Sequence, residues 1–194
     1  EREDGNVIPQ IDPEKCIECH RCVQGCPENH VKEKHEPRQC YAAWQKDRKE
    51  RKYSASGGIA FGFYKRWIQN AGIVYGAAFN EKGILTQQKA ETLEEIKKFR
   101  GSKYAQSHTG FVYSDIGKEL KKGEKVLFIG TPCQIAGLKA YLGKASDALV
   151  TIDLICHGTP PMSYLEEYIK EIAGAEKVDR VSFRGEKDYH MVFY

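Results

Sequence analysis

The stretch KVLFIGTPCQIAGLKAYLG, residues 125–143, decides the fold. Its first five residues, KVLFI, form a short apolar run of strand type. GTPC then breaks the run, and QIAGLKAYLG continues with helical spacing. The same order recurs downstream, where LVTIDLI (149–155) leads through CHGTPP into a helical SYLEEYIKEIAGA (163–175). Strands alternating with helices predict a parallel sheet. Each unit carries a cysteine, Cys133 or Cys156, just past the carboxyl end of its strand. If the two strands are neighbours, both thiols emerge on the rim where open α/β folds bind ligands. Cys133 also stands at a helix N-terminus, where the dipole favours thiolate. Two buried structural cysteines account for the pattern equally well.

The residues before this stretch extend the alternation. IAFGFYKRWIQN (59–70) has helical spacing, with Ile59, Phe63 and Trp67 on one stripe. GIVYGAAF (72–79) reads as a buried strand, NEKG (80–83) as a turn and residues 84–89 as a partner strand. TLEE (92–95) is a capping box that opens a helix to Phe99, and a further helix is expected over 111–122, ended by Gly123. The fold class is therefore α/β, with α+β as the alternative. The architecture expected is a mostly parallel mixed sheet with flanking helices, preceded by a segment whose closely spaced Cys16, Cys19, Cys22 and Cys26, followed by Pro27, mark it as a partial ferredoxin-like iron–sulfur segment. Three zones follow: a partial 4Fe-4S ferredoxin-type segment over 1–30, a charged connector over 31–55 and the α/β domain over 56–194.

Composition narrows the function. Of 194 residues, 41% are hydrophobic, enough to fill a core, and the net charge of +3 is too mild to point to nucleic acid. No window approaches the run of about 20 apolar residues that a membrane helix needs. The acidic, polar start EREDGNVIPQ is not a signal peptide, and a cytoplasmic location is expected. The chain begins without methionine and stops at HMVFY as if cut within a strand, so an internal piece of a longer protein is expected.

CIECHRCVQGCP (16–27) holds four of the seven cysteines. Thiols this close bridge poorly to one another, which argues for reduced metal ligands. Cys16, Cys19, Cys22 and Cys26 have the C-x2-C-x2-C-x3-C-P spacing that wraps a loop round a cubane iron–sulfur cluster. A zinc knuckle or plain thiols are the alternatives; zinc sites more often use two CxxC pairs set further apart. In two-cluster ferredoxins the fourth cysteine of each run binds the other cluster, so Cys26 would reach for a second cluster and the matching run would lie before Glu1. Cys40 is the nearby substitute, though a small packed thiol explains it; His20 and His35 are adjacent candidates that solvation also explains.

Two loops add polar groups. SASGGIAFG (54–62) sets two glycines before a helix, which leaves open amides for a phosphate or makes a plain tight turn. RGSKYAQS (100–107) brings a cation, hydroxyls and an aromatic into one loop, which a solvated connection would also explain.

Taken in order, SASGGI, AGIVYGAAF, RGSKYAQS, GTPCQIAGL, DLICHG and SFRGEK resemble the beta subunit family of coenzyme F420 hydrogenase/dehydrogenase, in the form with an N-terminal ferredoxin-like segment. The resemblance covers nearly the whole chain. It implies an iron–sulfur flavoprotein oxidoreductase that binds FAD and 4Fe-4S clusters and passes electrons to a hydride carrier such as coenzyme F420 or another reducible substrate. The alternative is an electron-transfer subunit without its own substrate site, serving a catalytic partner in a larger redox complex. Ser56, Gly57 and Gly58 match the family's glycine pair near the flavin, and Gly101, Ser102, Lys103 and Tyr104 its second flavin-side loop. Thr131 and Gln134 of GTPCQ complete the expected cofactor-binding set. Cys133 and Cys156 match two of four cysteines that hold a cluster beside the flavin. The other two come, in the family, from a CxxC pair that does not occur before Tyr194, so this chain alone is expected to be inactive. His108 and His157 have no partner in the sequence that would make either a general base; structural or capping roles are expected.

Overall fold

Four strands, β1 (Ile73–Phe79), β2 (Leu85–Ala90), β3 (Val126–Gly130) and β4 (Leu149–Asp153), form one sheet in the order β2-β1-β3-β4. The computed structural model that shows this describes residues 5–6, 8–27, 29, 36–174, 178, 181–184 and 190–194. Strands β1, β3 and β4 are parallel, and β2 is an antiparallel edge joined to β1 by a hairpin. Asn80 builds that hairpin turn, its Oδ1 accepting from the amides of Lys82 and Ile84. The sheet is thus mixed and mostly parallel, as expected.

The alternation of the two central strands sets the layers. On one face, Val74 and Ala78 of β1 meet Leu127 and Ile129 of β3. They are covered by α3 (Ile59–Gln69) and the 3₁₀ turn Glu95–Phe99. On the other face, Ile73, Tyr75, Val126 and Phe128 pack under α4 (Val112–Lys121) and α5 (Pro132–Leu142). Covered on both faces, β3 is buried at every position, which is why its sequence is an unbroken apolar run. A satellite cluster of Leu85, Ala105, Met162, Leu165 and Phe183 anchors α6 (Met162–Ala173) and the short pair β5 (Val181–Ser182) and β6 (Val192–Phe193). Before the sheet, α1 (Arg21–Gln24) and α2 (Arg48–Lys52) contain no buried residue.

Three expectations are corrected. Helix α3 fully buries Phe61 and Tyr64, whereas of the stripe of Ile59, Phe63 and Trp67 only Trp67 packs against that core and Phe63 is 49% exposed. Trp67 packs against Gly72, where an added Cβ would come within 2.4 Å of its ring, and its indole N–H donates to the Lys125 carbonyl at 3.1 Å. The Thr92 capping box forms, with Glu95 accepting from the amides of Glu91 and Thr92, but it opens a 3₁₀ turn instead of an α-helix. Strand β4 ends at Asp153, so Leu154 and Ile155 lie outside it. His35, Ala175 and Gly185, Glu186 and Lys187 of SFRGEK lie outside the described residues. Among the described residues no helix is long and apolar enough to cross a membrane.

Candidate metal and cofactor site

The two sheet-rim thiols are placed by one register. Gly130 of β3 pairs with Asp153 of β4 at the carboxyl end of both strands. Cys133 follows Gly130 by three residues, as Cys156 follows Asp153. Both cysteines therefore rise from the same rim. Cys133 is in the first turn of α5, exposed, with its Sγ 3.2 Å from Thr131 Oγ1. Cys156 is half-buried, and its Sγ accepts from the Gly158 amide at 3.3 Å.

Gln134 fastens this rim. Its Oε1 accepts from the Thr131 amide at 3.2 Å, closing a capping box at the start of α5, and from Gln87 Nε2 at 3.1 Å. Its Nε2 donates to Ser107 O at 3.1 Å and Ser107 Oγ at 2.8 Å. Gln134, expected in the cofactor-binding set, is bonded here to the loop that carries Gly101, Ser102, Lys103 and Tyr104. One residue before Ser107, the Gln106 amide donates to the Pro160 carbonyl at 2.9 Å. His108 bonds through its backbone to Leu85 and Gln87 of β2. A single loop thus ties the segment after Cys156 to the helix that carries Cys133.

Within that loop, Gly101 is left-handed (φ 77°), and the space where a Cβ would stand is open to 4 Å. Lys103 Nζ donates to the carbonyls of Lys98, Arg100 and Gly101 at 2.9–3.3 Å. Burial pushes this lysine down to about 8, while three carbonyl dipoles favour its charged form. Burial also raises the Tyr104 phenol, but hydrogen bonds with Ser102 and Arg184, together with the Arg184 charge, outweigh it and hold the phenol below its ordinary value.

The first glycine loop reaches the same place. Arg184 donates from Nη2 to Tyr104 Oη and from Nη1 to Ser56 Oγ at 3.4 Å. Ser56 and Gly58 are both left-handed, and Gly58 caps α3. Gly57 has a different reason to be glycine: a Cβ there would stand 2.7 Å from the Ala43 carbonyl, because the connector passes directly over it. The Gln45 amide donates to Gly57 O at 2.8 Å, and Glu50 pairs with Arg100, whose guanidinium lies 4.1 Å from the Phe61 ring centroid. Arg184, Ser107, Gln106 and Glu50 were missed as site residues; Arg184 had a signal in SFRGEK, Gln106 and Ser107 had one in RGSKYAQS, and Glu50 had none.

The cysteine run stands apart. Cys16, Cys19 and Cys22 are exposed, Cys26 is half-buried, and all four thiols are free. Glu18 and His20, between the first three, are left-handed at φ 51° and 56°, which curls the loop. Such residues cost about 1–3 kcal/mol each, and α1 has no buried side chain to offset that. Among the described residues no three of His, Cys, Asp and Glu gather round a single ion. A cubane asks for a different arrangement, one thiolate per iron at separate corners, and the all-thiol, proline-ended, curled loop would suit three corners of one cluster through Cys16, Cys19 and Cys22, with Cys26 left for a second. At the rim, the Arg184 guanidinium beside the Tyr104 ring would suit an anionic aromatic cofactor, whereas the three donors of Lys103 are taken up by backbone carbonyls.

Comparison with known proteins adds two family matches. Residues 123–194 match the C terminus of the beta subunit of coenzyme F420 hydrogenase/dehydrogenase, and residues 8–62 match the 4Fe-4S dicluster domain. Among solved structures, a chain of the F420-reducing NiFe hydrogenase complex from Methanosarcina barkeri, studied with xenon, is 20% identical with a TM-score of 0.54. The alignment covers 72% of this chain and 52% of that one, so this chain spans about half the length of its match. No curated protein matches.

Proposed function

With residues 123–194 belonging to the C-terminal beta-subunit family of coenzyme F420 hydrogenases/dehydrogenases and residues 8–62 to the 4Fe-4S dicluster family, we propose that the protein is an iron–sulfur flavoprotein oxidoreductase that moves electrons between 4Fe-4S clusters, FAD and a hydride carrier. The carrier is coenzyme F420 or another reducible substrate, and the setting is cytoplasmic. When bound, the flavin exchanges electrons in pairs and the clusters singly, which is the redox chemistry required. Cys16, Cys19, Cys22 and Cys26 hold cluster iron in the curled loop. Cys133 and Cys156 supply two ligands at the rim. Ser56, Gly57, Gly58, Gly101, Ser102, Lys103 and Tyr104 hold the flavin, while Thr131 and Gln134 fix the turn that presents Cys133. The chain divides into the ferredoxin-type segment 1–30, the connector 31–55 and the flavin domain 56–194.

One observation carries this reading: the loop of residues 101–108 bonds to Gln134 beside Cys133, to Pro160 beyond Cys156 and, through Tyr104 and Arg184, to Ser56. The loop is bonded directly to the two cysteine-bearing segments and, through the Arg184 guanidinium, to Ser56. A second reading, an electron-transfer subunit serving a separate catalytic partner, is favoured by the solved match being one chain of a hydrogenase complex.

Full-length protein purified without oxygen tests both. Broad brown cluster absorption with flavin bands and turnover of a hydride carrier supports the first reading. The same spectrum without turnover supports the second. A colourless protein with stoichiometric zinc overturns both.

A further inference from the structure

Three motifs distant in sequence meet at one guanidinium. Arg184 reaches Ser56, 128 residues away, and Tyr104, 80 residues away. Its neighbour Phe183, 7% exposed, is anchored in the satellite cluster and packs edge-on against the Tyr104 ring at 5.8 Å and 84°. Arg184 therefore approaches both loops from a fixed base. We propose that Arg184 is the positioning residue that holds the loops of Ser56 and Tyr104 together as the two walls of the flavin site, an assignment that rests on the flavin reading above.

The planar fork explains why the residue is arginine. Two Nη groups at fixed spacing serve two acceptors on different loops, and the guanidinium also faces the Tyr104 ring, 5.6 Å from its centroid. A lysine ammonium is a point charge that keeps the local field but cannot span both partners. Charge alone and positioning thus separate experimentally.

FAD affinity is measured by fluorescence titration of deflavinated full-length protein, with the visible circular dichroism of bound flavin as a second signal. Arg184→Lys is expected to raise the FAD Kd about tenfold, near the loss of one charge-assisted hydrogen bond, and to weaken the dichroic band. Apoprotein melting should change little. Tyr104→Phe and Ser56→Ala, which remove the partners singly and keep the arginine, are each expected to raise Kd about threefold or more, and they serve if Arg184→Lys does not fold. Wild-type protein that takes up no FAD overturns the flavin reading. FAD uptake at unchanged affinity and dichroism in Arg184→Lys, or unchanged affinity in both partner variants, overturns the role of Arg184 and leaves the flavin reading standing.

Discussion

Replacing Gln134 by leucine tests the junction on which the rim depends. The change keeps roughly the same volume in a site that is 9% exposed, so packing is preserved and the loss is polar. Four hydrogen bonds disappear: two accepted by Oε1, from Thr131 N and Gln87 Nε2, and two donated by Nε2 to Ser107. A buried group left without a partner costs about 1–3 kcal/mol. Gln87 is 6% exposed and bears that cost in full, and its Oε1 already lacks a partner among the described residues. Thr131 and Ser107 are only partly buried, so water recovers part of theirs. The sum is about 2–4 kcal/mol. Urea unfolding of the full-length protein, followed by far-ultraviolet circular dichroism, measures it from the midpoint at constant slope. Alkylation of Cys133 should also quicken, because the first turn of α5 loses its capping box. A loss below about 0.5 kcal/mol with an unchanged slope would refute the reasoning, since it would mean that Gln134 does not carry the junction.

Other perturbations probe the remaining parts. Cys133→Ser and Cys156→Ser in the full-length protein should each lower iron by one cluster's content and together by no more, whereas Cys22→Ser should add a separate loss; unchanged iron in the rim variants removes both cysteines as ligands. Gly57→Ala drives a Cβ to 2.7 Å from the Ala43 carbonyl, backbone that cannot yield cheaply; a cost of about 1–3 kcal/mol is expected, with faster proteolysis between residues 36 and 53, and unchanged stability would show that the connector does not pack there. Lys103, pushed down to about 8 by burial, has a folded value below its unfolded 10.5. Between those values the unfolded chain holds more protons, so Lys103 adds stability as pH rises from about 8 to 10.5 and adds no slope below 8. Lys103→Met should flatten that rise in urea titrations taken across the range, and an identical slope in both proteins would place the lysine at its ordinary value.

What the sequence made legible follows from what is local. Strand β3 is apolar at every position because helices cover both its faces, and that pattern needs no partner to be read. The rim followed from two strand–cysteine units, and only the pairing of Gly130 with Asp153 had to be supplied by the structure. The face of α3 was not legible. Ile59, Phe63 and Trp67 make an apolar stripe, but Phe61, Tyr64 and Ile68 make another at the same period, and the core fully buries only Phe61 and Tyr64, with Trp67 and Ile68 packed at its margin. The site divides in the same way. Residue types such as cysteine at a ligand spacing or glycine before a helix are set by local chemistry, so they stand out one by one. The bonds that turn them into a site join Gln134 to Ser107 over 27 residues, Arg184 to Tyr104 over 80 and Arg184 to Ser56 over 128. Serine, glutamine and arginine are ordinary on any surface, and their sequence neighbours give no sign of partners brought in by a crossover. Gly57 shows the reverse case: its signal was read as open amides for a phosphate or a plain tight turn, and packing of Ala43 and Trp44 above it accounts for the glycine before any ligand is considered. A glycine therefore carries weight for a cofactor only where neither packing nor a left-handed backbone explains it, and in these two loops packing explains Gly57 while positive φ explains Gly58 and Gly101.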